Sequence, residues 1–176
     1  MKIITIPEKV LLQKAKPVKV FDTKLRKIVN DMKVALNACT DPIGVGLAAP
    51  QVGLPLRIFL IKPTAKSEIQ VFINPEVVSV DNTRPAKNKQ EADDEPLEGC
   101  LSIPKIWGPV ERAYKITLSW SDVKGKRYTK VFEGFEAVII QHEYDHLDGV
   151  LFTHRSAEQK AILYEEKGKK LYEMTL

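Results

Sequence analysis

The segment FEAVIIQHEYDHLDG (Phe135–Gly149) constrains the fold more than any other part of the chain. Its residues change to helical spacing after Gly134, and Gly149 stands where a helix commonly ends. Four residues share one side of that helix: Phe135, Val138, Ile139 and His142. A helix this apolar is buried over much of its surface. The segment therefore predicts a central helix that carries polar side chains into the interior.

Two histidines, His142 and His146, lie four residues apart on this helix, and Glu143 directly follows the first. Residues at that spacing share a helix face, so both imidazoles can point at one metal ion. Glu143 then lies close enough to a bound water to exchange a proton with it. A lone histidine on such a face is more often a core residue with satisfied hydrogen bonds. The pair, with the glutamate between, favours a metal site.

A catalytic metal usually has three protein ligands and one open position, so a third ligand is needed. The candidates are His154, the remaining histidine, and Cys100 in EGCLSIP. A thiolate binds divalent metals strongly, whereas a single cysteine is more often a small buried apolar residue. Cys39 is interpreted in that second way. From the residues alone, His154 and Cys100 both remain candidates.

The rest of the chain predicts one more helix near the N-terminus and several strands. Apolar residues step by three and four from Thr23 to Cys39, which predicts an amphipathic helix capped by Asp22 or Thr23. Prolines and glycines in DPIGVGLAAPQVGLPL (Asp41–Leu56) predict an extended, tightly turned loop. Five runs predict antiparallel strands: Arg57–Lys62, Ile69–Asn74, Glu76–Val80, Tyr114–Asp122 and Lys126–Phe132.

The predicted architecture is α+β, with antiparallel sheets surrounding the central helix and with helices near both ends of the chain. The 176 residues, 44% of them hydrophobic, suit a single domain spanning residues 1–176. Residues 81–97 are polar and charged and are predicted to form an exposed loop. Apolar residues recur at helical steps from Ala157 to Leu171, so residues 156–176 are predicted to form a C-terminal helix.

Charge and cysteine content bear on where the protein works. The net charge is +4, and the basic residues are scattered, so direct binding of nucleic acid is not expected. No apolar run approaches the roughly 20 residues of a membrane span, and the N-terminus lacks the apolar core of an export signal. Two cysteines are few for a small secreted scaffold. We expect a soluble cytoplasmic protein with no membrane attachment.

Three segments together resemble the signature motifs of the peptide deformylases. They are GVGLAAPQVG (Gly44–Gly53), EGCLSIP (Glu98–Pro104) and QHEYDHLDG (Gln141–Gly149), in the order and with separations similar to those of the family. The combination is far more specific than an HExxH motif alone, although it covers only 26 of 176 residues. The resemblance implies a bacterial-type cytoplasmic enzyme that removes the formyl group from the formyl-methionine of nascent polypeptides and releases formate.

The resemblance also implies roles for individual residues. Cys100, His142 and His146 would bind one divalent metal ion, generally Fe(II) in the family, although zinc, nickel or cobalt can occupy the site. A water on this metal would be the nucleophile, with Glu143 as general base and then general acid. Two oxyanion donors are implied: the side-chain amide of Gln51 and the backbone N–H of Leu101.

An extended substrate is expected to pair with Val45 and Gly46 on one side and with Gly99 on the other. The methionine pocket is expected to be formed by Val45, Phe135, Val138 and Ile139, although core packing would require the same spacing. Trp107 stands where many members of the family carry polar or basic residues, and it is expected to alter contacts with the second or third substrate residue.

Some bacterial relatives dock on the ribosome through basic residues of a C-terminal helix. In this chain residues 156–176 carry four lysines and four glutamates, so the concentrated positive charge that such docking needs is missing. The ribosome is a partner that the resemblance alone implies.

Two alternative functions are weighed against deformylation. A metallopeptidase of the HExxH type would account for HEYDH, but it leaves EGCLSIP and GVGLAAPQVG unexplained. A catalytically silent metal-binding protein would have no need of Glu143 or Gln51. Within the helix motif, Tyr144, Asp145 and Asp148 are left without an assigned role.

Overall fold

Two antiparallel sheets and three α-helices make up the residues that the computed structural model describes, namely 1–83, 97–168 and 170–174. The helices are α1 (Thr23–Ala38), α2 (Gly134–Leu147) and α3 (Phe152–Glu158). The strands are β1 (Gly46–Ala48), β2 (Ile58–Ile61), β3 (Gln70–Asp81), β4 (Leu97–Cys100), β5 (Ile103–Pro109), β6 (Lys115–Ser121), β7 (Arg127–Glu133), β8 (Tyr164–Lys167) and β9 (Lys170–Glu173). Short 3-10 helices span Lys9–Leu12 and Ala49–Val52.

The first sheet, with strand order β1-β2-β3-β6-β7, lies between α1 and α2. Strand β2 shows this directly, because all four of its residues are fully buried. Phe59 and Ile61 pack in the cluster that includes α2, whereas Ile58 and Leu60 pack in the cluster that includes α1. A strand covered on both faces has no need of polar alternation, which explains its continuous apolar sequence.

The second sheet, with strand order β4-β5-β8-β9, packs against α3 and the N-terminal segment. Leu11, Ile103, Leu151 and Phe152 form its buried contacts together with Cys100. Among the described residues, β1 is an edge strand of the first sheet and β4 is an edge strand of the second. Helix α2 packs on the first sheet and contacts β4 of the second through its polar residues. The two open edges and α2 therefore meet at one place.

The α+β class and the N-terminal helix are confirmed. Asp22 caps α1, since its side chain accepts a hydrogen bond of 2.9 Å from the Leu25 backbone N–H; such a cap typically contributes about 1 kcal/mol. The loop predicted between Asp41 and Leu56 instead contains β1 and a 3-10 helix. That residues 1–176 form a single domain stays a prediction.

The two strands predicted at Ile69–Asn74 and Glu76–Val80 are a single strand, β3. The register of β3 against β6 shifts between Ile73 and Glu76, and Asn74 has a φ of 49°. The Asn74 side chain exchanges two hydrogen bonds with the backbone of Val18, of 2.7 and 2.8 Å. The strand therefore continues through an irregularity that a distant segment supports, and a sequence window cannot detect that support.

The predicted C-terminal helix over residues 156–176 is wrong. Helix α3 ends at Glu158, Lys160 has a φ of 56°, and the chain then forms the hairpin β8–β9 with Gly168 in its turn. Strand β8 pairs with β5, where Trp107 faces Tyr164. Residues 164–167 thus form backbone hydrogen bonds with the edge of β5. This pairing stabilises a strand in a segment whose helical periodicity is weak.

Of the segment predicted as an exposed charged loop, Asp81 ends β3 and Leu97 begins β4, while residues 84–96 lie outside the described residues. In the part of the chain that is described, no helix is both long enough and apolar enough to cross a membrane.

Candidate active site

Cys100, His142 and His146 form a group that could hold a metal ion. One ligand atom from each lies within 4.8 Å of the others. Cys100 ends β4, and the two histidines lie on α2, so the group joins the second sheet to the helix. The Cys100 Sγ atom is 3.2 Å from Nε2 of His146. One thiolate and two imidazoles make a donor set that suits several divalent metals.

The Cys100 thiol is electrostatically prepared to act as a ligand. Burial alone would raise its pKa, but the imidazoles of His146 and His142 outweigh that effect and hold the pKa well below its ordinary value. Further N–H groups also face the sulfur: Ser102 N at 3.4 Å and Gln51 Nε2 at 3.5 Å. Because metal ligation by cysteine requires the thiolate, these contacts favour the form that binds.

A buried carboxylate orients His142. The Nδ1 atom of His142 lies 2.8 Å from a carboxylate oxygen of Glu98, which leaves Nε2 for a metal. Arg112 donates two hydrogen bonds to Glu98, of 2.8 and 3.0 Å. Burial would raise the pKa of Glu98, but the contacts with His142 and Arg112 lower it to about 2. Glu98 is therefore ionised and fixes the ring of His142.

The same guanidinium connects this carboxylate to a second one on α2. Arg112 donates to Asp145 at 2.6 Å, and Arg155 of α3 donates to both Asp145 oxygens, at 2.7 and 3.1 Å. Asp145 precedes His146 directly. A chain of charged hydrogen bonds thus ties the ligand helix to β4 and to α3, and it supports both histidine positions.

Glu143 projects into the same site from α2. Its side chain is almost fully buried, and Oε2 has no hydrogen-bond partner among the described residues. Burial raises the pKa of Glu143 to about 7. Gly46 of β1 makes room for this carboxylate, because a Cβ atom at that position would overlap Glu143 Oε1. A carboxyl group beside the ligand group whose pKa is near neutral pH can both accept and return a proton.

Gln51 has a fixed orientation at the opposite side of the ligand group. Its Oε1 atom accepts a hydrogen bond of 2.8 Å from the Ala48 backbone N–H, which directs the NH2 group toward Cys100 and Ser102. The residue is 1% exposed. A buried amide in this orientation is a preorganised donor beside the site.

A cavity of about 260 Å³ reaches Cys100 and His142 of the ligand group. It runs between the edges β1 and β4, with α2 along one wall. All six residues predicted to contact substrate line it: Val45, Gly46, Gly99, Phe135, Val138 and Ile139. Gln51, Leu101 and Glu143 line it as well. The roles predicted for these residues stay predictions, but the structure places them around one cleft.

His154 does not join the ligand group. It lies exposed on α3, and its Nδ1 atom accepts a hydrogen bond of 3.2 Å from the Leu151 backbone N–H. Of the two open candidates for the third ligand, the geometry therefore favours Cys100. Asp148, which had no assigned role, binds Arg57 at 2.8 Å, and Tyr144 packs under the same guanidinium.

Sequence reasoning missed Glu98 and Arg112 and left Asp145 unassigned. Glu98 opens EGCLSIP, so its place beside Cys100 was a usable signal. Nothing in the sequence marks Arg112, which reaches the site only because β5 returns alongside β4.

Comparison with known proteins identifies similar chains over almost the whole length. The family model described as polypeptide deformylase matches residues 1–161. The peptide deformylase of Desulfotalea psychrophila is 36% identical over 176 residues, covering 98% of this chain and 96% of that protein. The crystal structure of the peptide deformylase from Thermotoga maritima matches with a TM-score of 0.75 and 34% identity, covering 88% of this chain and 95% of that one. The corresponding structure from Legionella pneumophila has 39% identity and a TM-score of 0.75, covering 88% and 84%.

Proposed function

This chain belongs to the peptide deformylase family and is a hydrolase that deformylates nascent polypeptides, and we propose that Glu143, Gln51 and Leu101 carry out the reaction in the cleft between β1 and β4. The observation that carries the assignment of the site is that Cys100 and His142 of the ligand group line one cleft with Glu143, whose Oε2 has no hydrogen-bond partner in the described part of the chain.

The proposed substrate path follows from the two open sheet edges. A peptide in extended form can pair with Gly46 of β1 on one side and with Gly99 of β4 on the other, which adds a strand between the sheets. Phe135, Val138 and Ile139 from α2 supply an apolar wall for the methionine side chain. The formyl group would then lie at the ligand group, since Cys100 directly follows Gly99.

In the proposed chemistry, Glu143 carries a proton from the attacking water to the departing amine. A divalent metal bound by Cys100, His142 and His146 would lower the pKa of water and polarise the formyl oxygen. Glu143 Oε2 accepts a proton from the water that attacks the formyl carbon. The Gln51 amide and the Leu101 N–H donate to the oxygen that gains negative charge. Glu143 then returns the proton to the amine as the C–N bond breaks, which gives formate and a free N-terminus.

Fe(II) is proposed as the physiological metal, although the ligand set also suits zinc, nickel and cobalt. Metal analysis of protein purified without oxygen tests this, and a different metal at full occupancy with full activity would overturn it. We also propose a bacterial-type cytoplasm, because nascent formylated chains are made there. Contact with the ribosome is proposed only through surfaces other than a C-terminal helix, since the chain forms a hairpin there.

The central test measures formate release from a formyl-Met-Ala-Ser peptide by the metal-loaded protein under anaerobic conditions. Glu143→Gln removes the proton carrier but no metal ligand, so we expect kcat to fall by about 10²- to 10⁴-fold with the metal content unchanged. Glu136→Gln, two turns earlier on α2, is the matched control and should retain activity. An active Glu143→Gln variant would contradict the assigned role, and an inactive metal-loaded wild type would contradict the function.

A further inference from the structure

A side chain of the C-terminal hairpin β8–β9 is hydrogen-bonded to Trp107, a residue that lines the substrate cleft. The indole Nε1 of Trp107 on β5 donates to Oε2 of Glu166 on β8, at 2.8 Å. Trp107 faces Tyr164 across the β5–β8 pair, and Glu166 lies two residues further along β8 on the same face. The match to the family model ends at residue 161, so Glu166 lies beyond the part of the chain that this model describes.

Trp107 forms the wall of the cleft next to β4. It pairs with Gly99 across β4 and β5, and its ring lies against the Gly99 backbone, where an added Cβ would be 2.7 Å from a ring carbon. Cys100 marks the end of the cleft where the formyl group reacts. A substrate strand that runs along β4 from Cys100 therefore brings its later residues past Gly99 and the indole.

A second, more open pocket shares lining residues with the cleft. Leu97 and Trp107 line both, and Glu166 and Leu171 complete the second one. Trp107 is only half-buried. Without the hydrogen bond to Glu166, the ring would have space on its far side into which to turn, and the cleft would lose a fixed wall.

We propose that Glu166 is a positioning residue that holds Trp107 as the contact for the substrate residues that follow formyl-methionine. The proposal rests on the deformylase function and deepens it, because it assigns recognition of the peptide beyond its first residue to a contact made by the C-terminal hairpin. Substrates that consist of formyl-methionine alone do not reach Trp107, so they do not depend on Glu166.

The test compares KM and kcat for formyl-Met-Ala-Ser and for formyl-methionine amide. Glu166→Ala should raise KM for the tripeptide about 3- to 10-fold, with kcat and the kinetics on formyl-methionine amide unchanged. Glu166→Gln keeps an acceptor and should restore most of the tripeptide KM. The matched control is Glu165→Ala, which removes the same charge from the other face of β8, where Glu165 pairs with Lys167 at 2.8 Å; it should behave as wild type.

A double-mutant cycle isolates the hydrogen bond. Trp107→Phe keeps a ring but loses the donor, so Glu166→Ala should add little to the tripeptide KM of Trp107→Phe. A separate readout uses the Trp120→Phe background, in which Trp107 is the single tryptophan. There, Glu166→Ala should increase quenching of Trp107 fluorescence by acrylamide.

The outcomes distinguish this inference from the function itself. If wild type releases formate from neither substrate, the deformylase function fails. If wild type is active on both, but Glu166→Ala leaves the tripeptide KM and the quenching unchanged, the role of Glu166 is overturned. Equal changes with both substrates would also overturn it, since they would indicate a general disturbance of the fold.

Discussion

At the scale of single residues, the site depends on a glycine whose absent side chain makes room for a carboxylate. Gly46 lies on β1 and Glu143 on α2, and their contact is so close that a methyl group at Gly46 would occupy the place of Oε1. The backbone of Gly46 is extended, so steric space, and not a special φ, is what requires glycine here. The GVG sequence is thus a condition for the position of Glu143.

Gly46→Ala tests this fit. The added methyl group would overlap the Glu143 carboxylate, so the carboxylate must move. A displacement of about 1 Å in a catalytic group can reduce the rate about 10²-fold. We expect kcat for formyl-Met-Ala-Ser to fall by about that factor, with the metal content retained. Gly125→Ala in the β6–β7 turn, remote from the cleft, is the control and should leave kcat unchanged. Normal turnover by Gly46→Ala would refute the fit.

At the scale of elements, a buried charge network holds β4, α2 and α3 together. The side chains of Arg112 and Glu98 are 6% and 8% exposed, and Asp145 receives hydrogen bonds from Arg112 and Arg155. Removing one member leaves buried charges without compensation, whereas loss of an exposed pair changes stability little. The network is therefore expected to stabilise the arrangement of these elements as well as the ring of His142.

Arg112→Leu should lower the free energy of unfolding by roughly 3–5 kcal/mol. Urea unfolding followed by circular dichroism measures this change. The matched variant Arg127→Leu breaks an exposed pair with Glu76 and should cost less than about 1 kcal/mol. Equal stabilities of the two variants would show that the buried network contributes nothing beyond a surface pair.

At the scale of the whole molecule, the ligand group takes its members from the packing units of both sheets. Cys100 belongs to the second sheet, whereas His142 and His146 lie on the helix that packs against the first. A metal bound by all three would link the two sheets across the cleft. The three ligands come together only in the folded chain, so the unfolded chain has no preformed site. Binding of the metal should therefore stabilise the folded state.

Removal of the metal should therefore lower Tm. At a free metal concentration about 100 times Kd, the stabilisation is about 2.7 kcal/mol, which corresponds to roughly 5–10 °C for a chain of this size. Thermal unfolding with and without a chelator measures the difference. Cys100→Ala should abolish the effect of the chelator, whereas Cys39→Ala should retain it. A chelator effect that persists in Cys100→Ala would exclude Cys100 from the ligand set.

The sequence by itself determined the α+β class, α1 with Asp22 as one of two candidate caps, and the family, because these depend on local periodicity and on three short motifs. Through the resemblance, it also predicted the three catalytic residues and the six substrate-contacting residues that line the cleft. Which of His154 and Cys100 stands beside the histidine pair was open from the residues alone. The end of α3, the hairpin that replaces the predicted C-terminal helix, and the placement of Arg112 and Glu166 were decided by the tertiary structure. Each of these depends on pairing with β5 or β4, strands distant in sequence, and a local pattern contains no information about which distant edge a segment will meet.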